Sequence, residues 1–144
     1  MKTEIFESHS AGETETFASG LAQNLPPGSV LALYGDLGAG QTVFARGFAR
    51  GLGITEPISS PTFTIVQEYP YNGKMFYHLD LYRIDNSDAA YAFGIDEFLY
   101  DKSAMTLLEW PERIEDILPA RTIVLRIEHK GEEERLISIT YPDA

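Results

Sequence analysis

Tyr34-Gly35-Asp36-Leu37-Gly38-Ala39-Gly40-Gln41-Thr42 decides how this chain is read. The pattern G-x-x-x-x-G-K-[ST] runs from Gly35 to Thr42, with Gln41 standing where the lysine belongs. An apolar run, Val30-Leu31-Ala32-Leu33-Tyr34, reads as a buried strand entering the loop. A helical pattern from Val43 to Arg50 leaves it. Strand, Gly-rich turn and helix N-terminus together aim main-chain N–H groups at one spot, where the helix dipole favours an anion. Gly35, Gly38 and Gly40 let the backbone curl around phosphates with no Cβ in the way. Leu37, Gly38, Ala39, Gly40, Gln41 and Thr42 are therefore candidate phosphate ligands, and the Thr42 hydroxyl is a candidate magnesium ligand. The competing reading, an ordinary Gly-rich turn, stays open as the minority one, because the pattern spans eight positions with correct flanks and departs at Gln41.

Gln41 alters the expected chemistry. Lysine would bring a point charge to the terminal phosphates, whereas glutamine brings only neutral donors. Hydrogen bonds to charged groups contribute roughly 1.5–3 kcal/mol against about 1 for neutral ones, so nucleotide binding should weaken by roughly tenfold. Turnover should suffer more, because the lysine also stabilises charge on the phosphoryl group in flight.

The composition limits the alternatives. With 144 residues, 44% of them hydrophobic, the chain reads as a single domain over 1–144 with enough sequence for a real core. The absence of cysteine excludes disulfides and thiolate metal sites. No apolar run approaches the roughly 20 residues of a membrane span. Residues 1–6 lack a signal-peptide core, so a cytoplasmic protein with no membrane partner is expected. A formal charge of −11 repels nucleic-acid backbone. A nucleotide must then be held by a local positive field, and any RNA must be met through a basic partner.

Outward from the loop, residues 2–8 read as a strand and 12–25 as a helix after Ser10. The helix after the loop, Thr42 to about Leu52, repeats Ala45-Arg46-Gly47-Phe48 as Ala49-Arg50-Gly51-Leu52. Spacing of four puts Gly47 and Gly51 on one stripe, where they would let the helix lie close to the sheet. Arg46 and Arg50 form another stripe, read as a solvated face. Phe63–Tyr69 and Lys74–Tyr82 read as strands joined at Tyr71-Asn72-Gly73, a hairpin signal. Ser87–Leu99 is helical with a break at Gly94; Met105–Leu108 is a buried strand, and Pro111 opens a short helix. Thr122–Glu128 and Arg135–Tyr141 close the pattern as strands. Mixing βαβ units with hairpins predicts an α/β sandwich on a mixed parallel and antiparallel sheet.

A phosphate-binding loop needs an acid at a neighbouring strand end. Glu109, at the end of an apolar strand, is the candidate metal ligand. Asp80, alternating with Leu79 and Leu81, is the candidate to orient water. Thr62 and Thr64 follow the first βα unit, where a switch-loop threonine meets magnesium, and Thr62 is a further candidate metal ligand. Trp110, beside Glu109, would report on nucleotide. His9, His78 and His129 are too scattered for a metal motif and read as core or surface residues.

Four blocks, Gly35-Asp36-Leu37-Gly38-Ala39-Gly40-x-Thr42, Ser60-Pro61-Thr62-Phe63-Thr64, His78-Leu79-Asp80-Leu81-Tyr82-Arg83 and Leu108-Glu109-Trp110-Pro111, resemble in order the signatures of the bacterial TsaE (YjeE) family. Those proteins are small ATPases of tRNA threonylcarbamoyladenosine biosynthesis. The resemblance spans nearly the whole chain and implies a P-loop NTPase-like three-layer sandwich that uses ATP/ADP and Mg2+. It implies partnership with TsaD and TsaB, contact with tRNA only through that complex, and modification of the adenosine next to the anticodon. By position, Leu37 to Thr42 would cradle phosphates, Thr42 and Glu109 would hold magnesium, and Asp80, Trp110 and Glu112 would complete the site. The family carries lysine where Gln41 stands.

Three functions compete: a partner-dependent ATPase, a nucleotide-sensing interaction module without turnover, and a small-molecule kinase. Gln41 favours the second. The third lacks an evident arginine-bearing lid.

Overall fold

Alternating buried positions on either side of one sheet organise the molecule. The structure is a computed structural model and describes residues 1–35, 40–58 and 65–143. The strands are β1 (Lys2–Ser8), β2 (Val30–Gly35), β3 (Val66–Tyr71), β4 (Lys74–Asp80), β5 (Met105–Glu109), β6 (Ile123–His129) and β7 (Arg135–Tyr141). The helices are α1 (Ala11–Asn24), α2 (Gln41–Gly51), α3 (Ser87–Ala92) and α4 (Ile95–Leu99), with a 3-10 segment over Pro111–Ile117.

The sheet order is β1-β7-β6-β2-β5-β4-β3. Strands β6, β2, β5 and β4 run parallel, and antiparallel pairings add β7 and β1 on one side and β3 on the other. β2, buried from Val30 to Tyr34, lies between β6 and β5 as an apolar central strand should. Its Leu31 and Leu33 join a core with Ala18, Phe44 and Phe48 of α1 and α2. Val30, Ala32 and Tyr34 face the other way, toward Ala90, Ile95, Leu99 and Ile114. Helices thus cover both faces, giving the expected three-layer α/β sandwich on a mixed sheet.

Local signals set most boundaries. The Ser10 hydroxyl accepts the Glu13 N–H (3.1 Å) and starts α1. Asn72 and Gly73, with φ of 47° and 75°, make the tight β3–β4 turn. The predicted helix over 87–99 divides at Gly94 into α3 and α4. Arg121 ties the elements together, donating to the Gly28 and Leu99 carbonyls at 2.7 and 2.8 Å.

One expectation is overturned. Gly47 and Gly51 do not face the sheet; they face α1. A Cβ on Gly47 would come within 2.6 Å of the Glu15 Cα, and one on Gly51 within 2.8 Å of the Ser19 Cα. Arg46 and Arg50, half-exposed, both reach Glu15 on α1, at 3.6 and 3.0 Å. The sheet instead receives Phe44 and Phe48, because bulky apolar side chains need the broad hydrophobic face and the glycines need only a neighbouring backbone.

Candidate active site

Three parallel strands end together. Leu33 of β2 pairs with Glu109 of β5, and Glu109 pairs with Asp80 of β4, so both carboxylates project from the same face as Leu33. The N-terminus of α2 covers that face. Leu33, Gly35, Gln41, Glu109, Trp110 and Glu112 line one pocket there. A crevice beyond the carboxyl ends of parallel strands is where open α/β sheets bind ligands.

The start of α2 suits an anion. Gly40 precedes it with φ 108°, a conformation that favours glycine, and as the N-cap residue it brings no side chain to the first-turn N–H groups. Gln41 and Thr42 are its first two residues, both partly buried. Leu37, Gly38, Ala39, Thr62 and Thr64 lie outside the described residues. Of the expected site, the structure therefore brings Gln41, Glu109, Trp110 and Glu112 to one pocket, with Asp80 beside Glu109 in the sheet and Thr42 next along the helix.

Glu109 does not stand alone. His78, fully buried, places Nε2 2.7 Å from Glu109 Oε2. His78 lies two residues before Asp80 on β4, so strand alternation turns both side chains to one face. That spacing was the available signal for His78; its pairing with Glu109, 31 residues away, depends on sheet register. Asp80 Oδ1 accepts the Tyr82 N–H at 3.0 Å. Burial pushes the Asp80 carboxyl above its ordinary value, and the Glu109 charge adds to this against the opposing Tyr82 hydrogen bond.

A raised carboxyl value means that protonation favours the folded state. The stabilisation is fully present below the unfolded value and is lost as pH rises through the folded one. Asp80→Asn should therefore melt higher than the parent at neutral pH in nucleotide-free protein. The difference should close in acid, where Asp80 is protonated in both states. Thermal melts across pH check this; equal melting points at neutral pH would contradict it.

Trp110 is held in the left-handed region, φ 62° and ψ 46°, directly before Pro111. Proline disfavours helical backbone in the residue before it, and such a conformation costs a bulky residue about 1–3 kcal/mol. The surroundings hold it: Tyr82 meets the indole edge-on at 5.0 Å, and Arg113 lies over it at 5.6 Å. On the other side of Gly35, Tyr34 donates to Glu115 at 2.6 Å under the Arg126 guanidinium. The sequence showed neither contact.

Residues 8–137 match the family model described as threonylcarbamoyl adenosine biosynthesis protein TsaE. The chain belongs to the TsaE family. It is 43% identical over 128 residues to the tRNA threonylcarbamoyladenosine biosynthesis protein TsaE of Bacillus subtilis, covering 89% of this chain and 79% of that one. The Rickettsia bellii protein of the same name is 36% identical over 133 residues, covering 92% and 91% of the two chains. The crystal structure of Bacillus subtilis YdiB superposes with a TM-score of 0.84 at 37% identity, over 99% of this chain and 87% of that one. The TsaE resemblance seen in the four sequence blocks, and the α/β fold it implied, are both borne out.

Proposed function

We propose that this chain binds ATP and ADP with magnesium in the pocket between α2 and the ends of β2 and β5. It serves threonylcarbamoyladenosine modification of tRNA as a partner-dependent ATPase, with TsaD and TsaB as partners. The observation that carries the proposal is convergence: a helix N-terminus with glycine at its N-cap, a pocket-lining carboxylate (Glu109) and a second one beside it (Asp80) meet at the carboxyl edge of a parallel sheet. The TsaE relatives supply the pathway, and a charge of −11 opposes direct binding to RNA. No helix among the described residues is long and apolar enough to cross a membrane.

The donor set fits magnesium. Thr42 and Glu109 offer hard oxygen ligands, and among the described residues no three His, Asp or Glu side chains gather as a self-sufficient metal cage. Magnesium usually takes one or two protein ligands and completes its shell with phosphate and water. When bound, it would supply charge neutralisation at the phosphates. The α2 amides would hold the phosphate chain, Asp80 would orient water, and Trp110 would lie against the nucleotide. A second reading, nucleotide sensing without turnover, is favoured by Gln41 alone.

Titrating ADP with and without magnesium while following Trp110 emission, with calorimetry in parallel, tests the site. A saturable, magnesium-dependent response is expected. Silence in both measurements at millimolar nucleotide would refute it. Phosphate release stimulated by the partner proteins separates the ATPase from the sensor.

A further inference from the structure

We propose that His78 is a positioning residue that holds Glu109 with one carboxylate oxygen tied into the sheet and the other presented to the pocket. This rests on the magnesium–nucleotide reading above. An ionised carboxylate can only accept, so in the 2.7 Å contact Nε2 carries the hydrogen and donates to Glu109 Oε2. The opposite ring nitrogen, Nδ1, is buried without a hydrogen-bond partner among the described residues. A hydrogen there would be an unsatisfied buried donor, which fixes the Nε2–H tautomer.

The ring itself cannot swing. His78 is 0% exposed, with the Phe76 ring 6.3 Å away and nearly parallel, and it pairs with the buried Leu107 in the sheet. Glu109 keeps 12% of its side chain exposed and lines the pocket with Gln41, Trp110 and Glu112. A rigid, buried donor thus occupies Oε2, and Oε1 is left for the ligand. Where the loop lacks its lysine, a carboxylate fixed in advance matters more, because the metal carries the remaining positive charge. Removing the donor would free Glu109 to rotate, and groups that orient a metal ligand in this way typically contribute about ten- to hundredfold to metal affinity.

The test is ADP affinity measured by calorimetry, with magnesium and with EDTA, for the parent and variants at His78 and Glu109. His78→Phe keeps the ring shape and removes the donor; it should cut the gain in affinity from magnesium about tenfold and leave the EDTA value unchanged. His78→Gln, which still carries a side-chain N–H, should recover most of the gain. In the Glu109→Gln background, His78→Phe should have no further effect, since the two act as one unit. If His78→Phe does not fold, His78→Asn, too short to reach Oε2, is expected to show the same loss. An unchanged magnesium gain, an equal loss with and without magnesium, or additive effects of the two substitutions would each overturn the role. A parent protein whose ADP affinity ignores magnesium would overturn the site reading as well, and that outcome is distinct from the others.

Discussion

Gln41→Lys is expected to raise ADP affinity about tenfold and the ATP hydrolysis rate by roughly 10²-fold. The site explains why the two effects differ. Gln41 is the first residue of α2 and lines the same pocket as Glu109 and Glu112. The described residues lining that pocket bring two carboxylates and no cation, so a phosphate chain bound there would meet a negative field, relieved by helix amides and by any metal bound with it. A lysine here would improve ground-state binding by the difference between a charged and a neutral hydrogen bond. Its larger contribution comes as charge shifts onto the leaving oxygens, in surroundings with less screening than bulk water. Calorimetry with ADP and magnesium reads the first effect, and partner-stimulated phosphate release reads the second. Equal affinities and equal rates in the two proteins would show that position 41 does not face the phosphates.

The parts of this site that were legible in the sequence are those set by neighbours along the chain. The apolar run of β2 and the helical pattern of α2 were legible, because each is set by periodicity along its own stretch of chain. Asn72-Gly73 placed the β3–β4 hairpin, and Gly94 divided α3 from α4, because each needs a backbone conformation few residues adopt. Asp80 was placed on the face opposite Leu79 by alternation alone, and Leu79 does belong to the core on the other side of the sheet.

The contacts that were not legible cross between strands or helices. His78 meets Glu109 only because β4 and β5 pair in parallel with Asp80 opposite Glu109. The strand order β6-β2-β5-β4 is a tertiary choice, so it left no local pattern. Trp110 breaks the local rule for a residue before proline, and its left-handed backbone is set by packing against Tyr82 and Arg113. The glycine stripe was seen correctly and aimed wrongly. Spacing of four defines a face of the helix, but which neighbour that face meets depends on how α2 lies against α1.

That correction makes a sharp test of stability. Alanine normally outranks glycine in a helix interior by about 1 kcal/mol, so Gly→Ala within α1 or α2 should stabilise wherever space allows. Gly20 of α1 has nothing within 4 Å of an added Cβ, and Gly20→Ala should raise the melting temperature by a few degrees, about 2–4 °C. Gly47 and Gly51 should do the reverse. Their added methyl groups would press on the α1 main chain at Glu15 and Ser19, which no side-chain rotation can relieve. Overpacking of this kind costs about 1–3 kcal/mol or more per site and outweighs the propensity gain. Both clashes are relieved by one movement, the lifting of α2 from α1, so the double variant should lose less than the sum of the singles. A loss of roughly 3–5 kcal/mol, or about 10 °C in melting temperature, is expected for Gly47→Ala with Gly51→Ala. Lifting α2 also moves Gly40, Gln41 and Thr42, which begin it, so nucleotide affinity should fall along with stability. Melting of Gly47→Ala and Gly51→Ala at or above the parent would mean that α1 and α2 do not touch through their glycines.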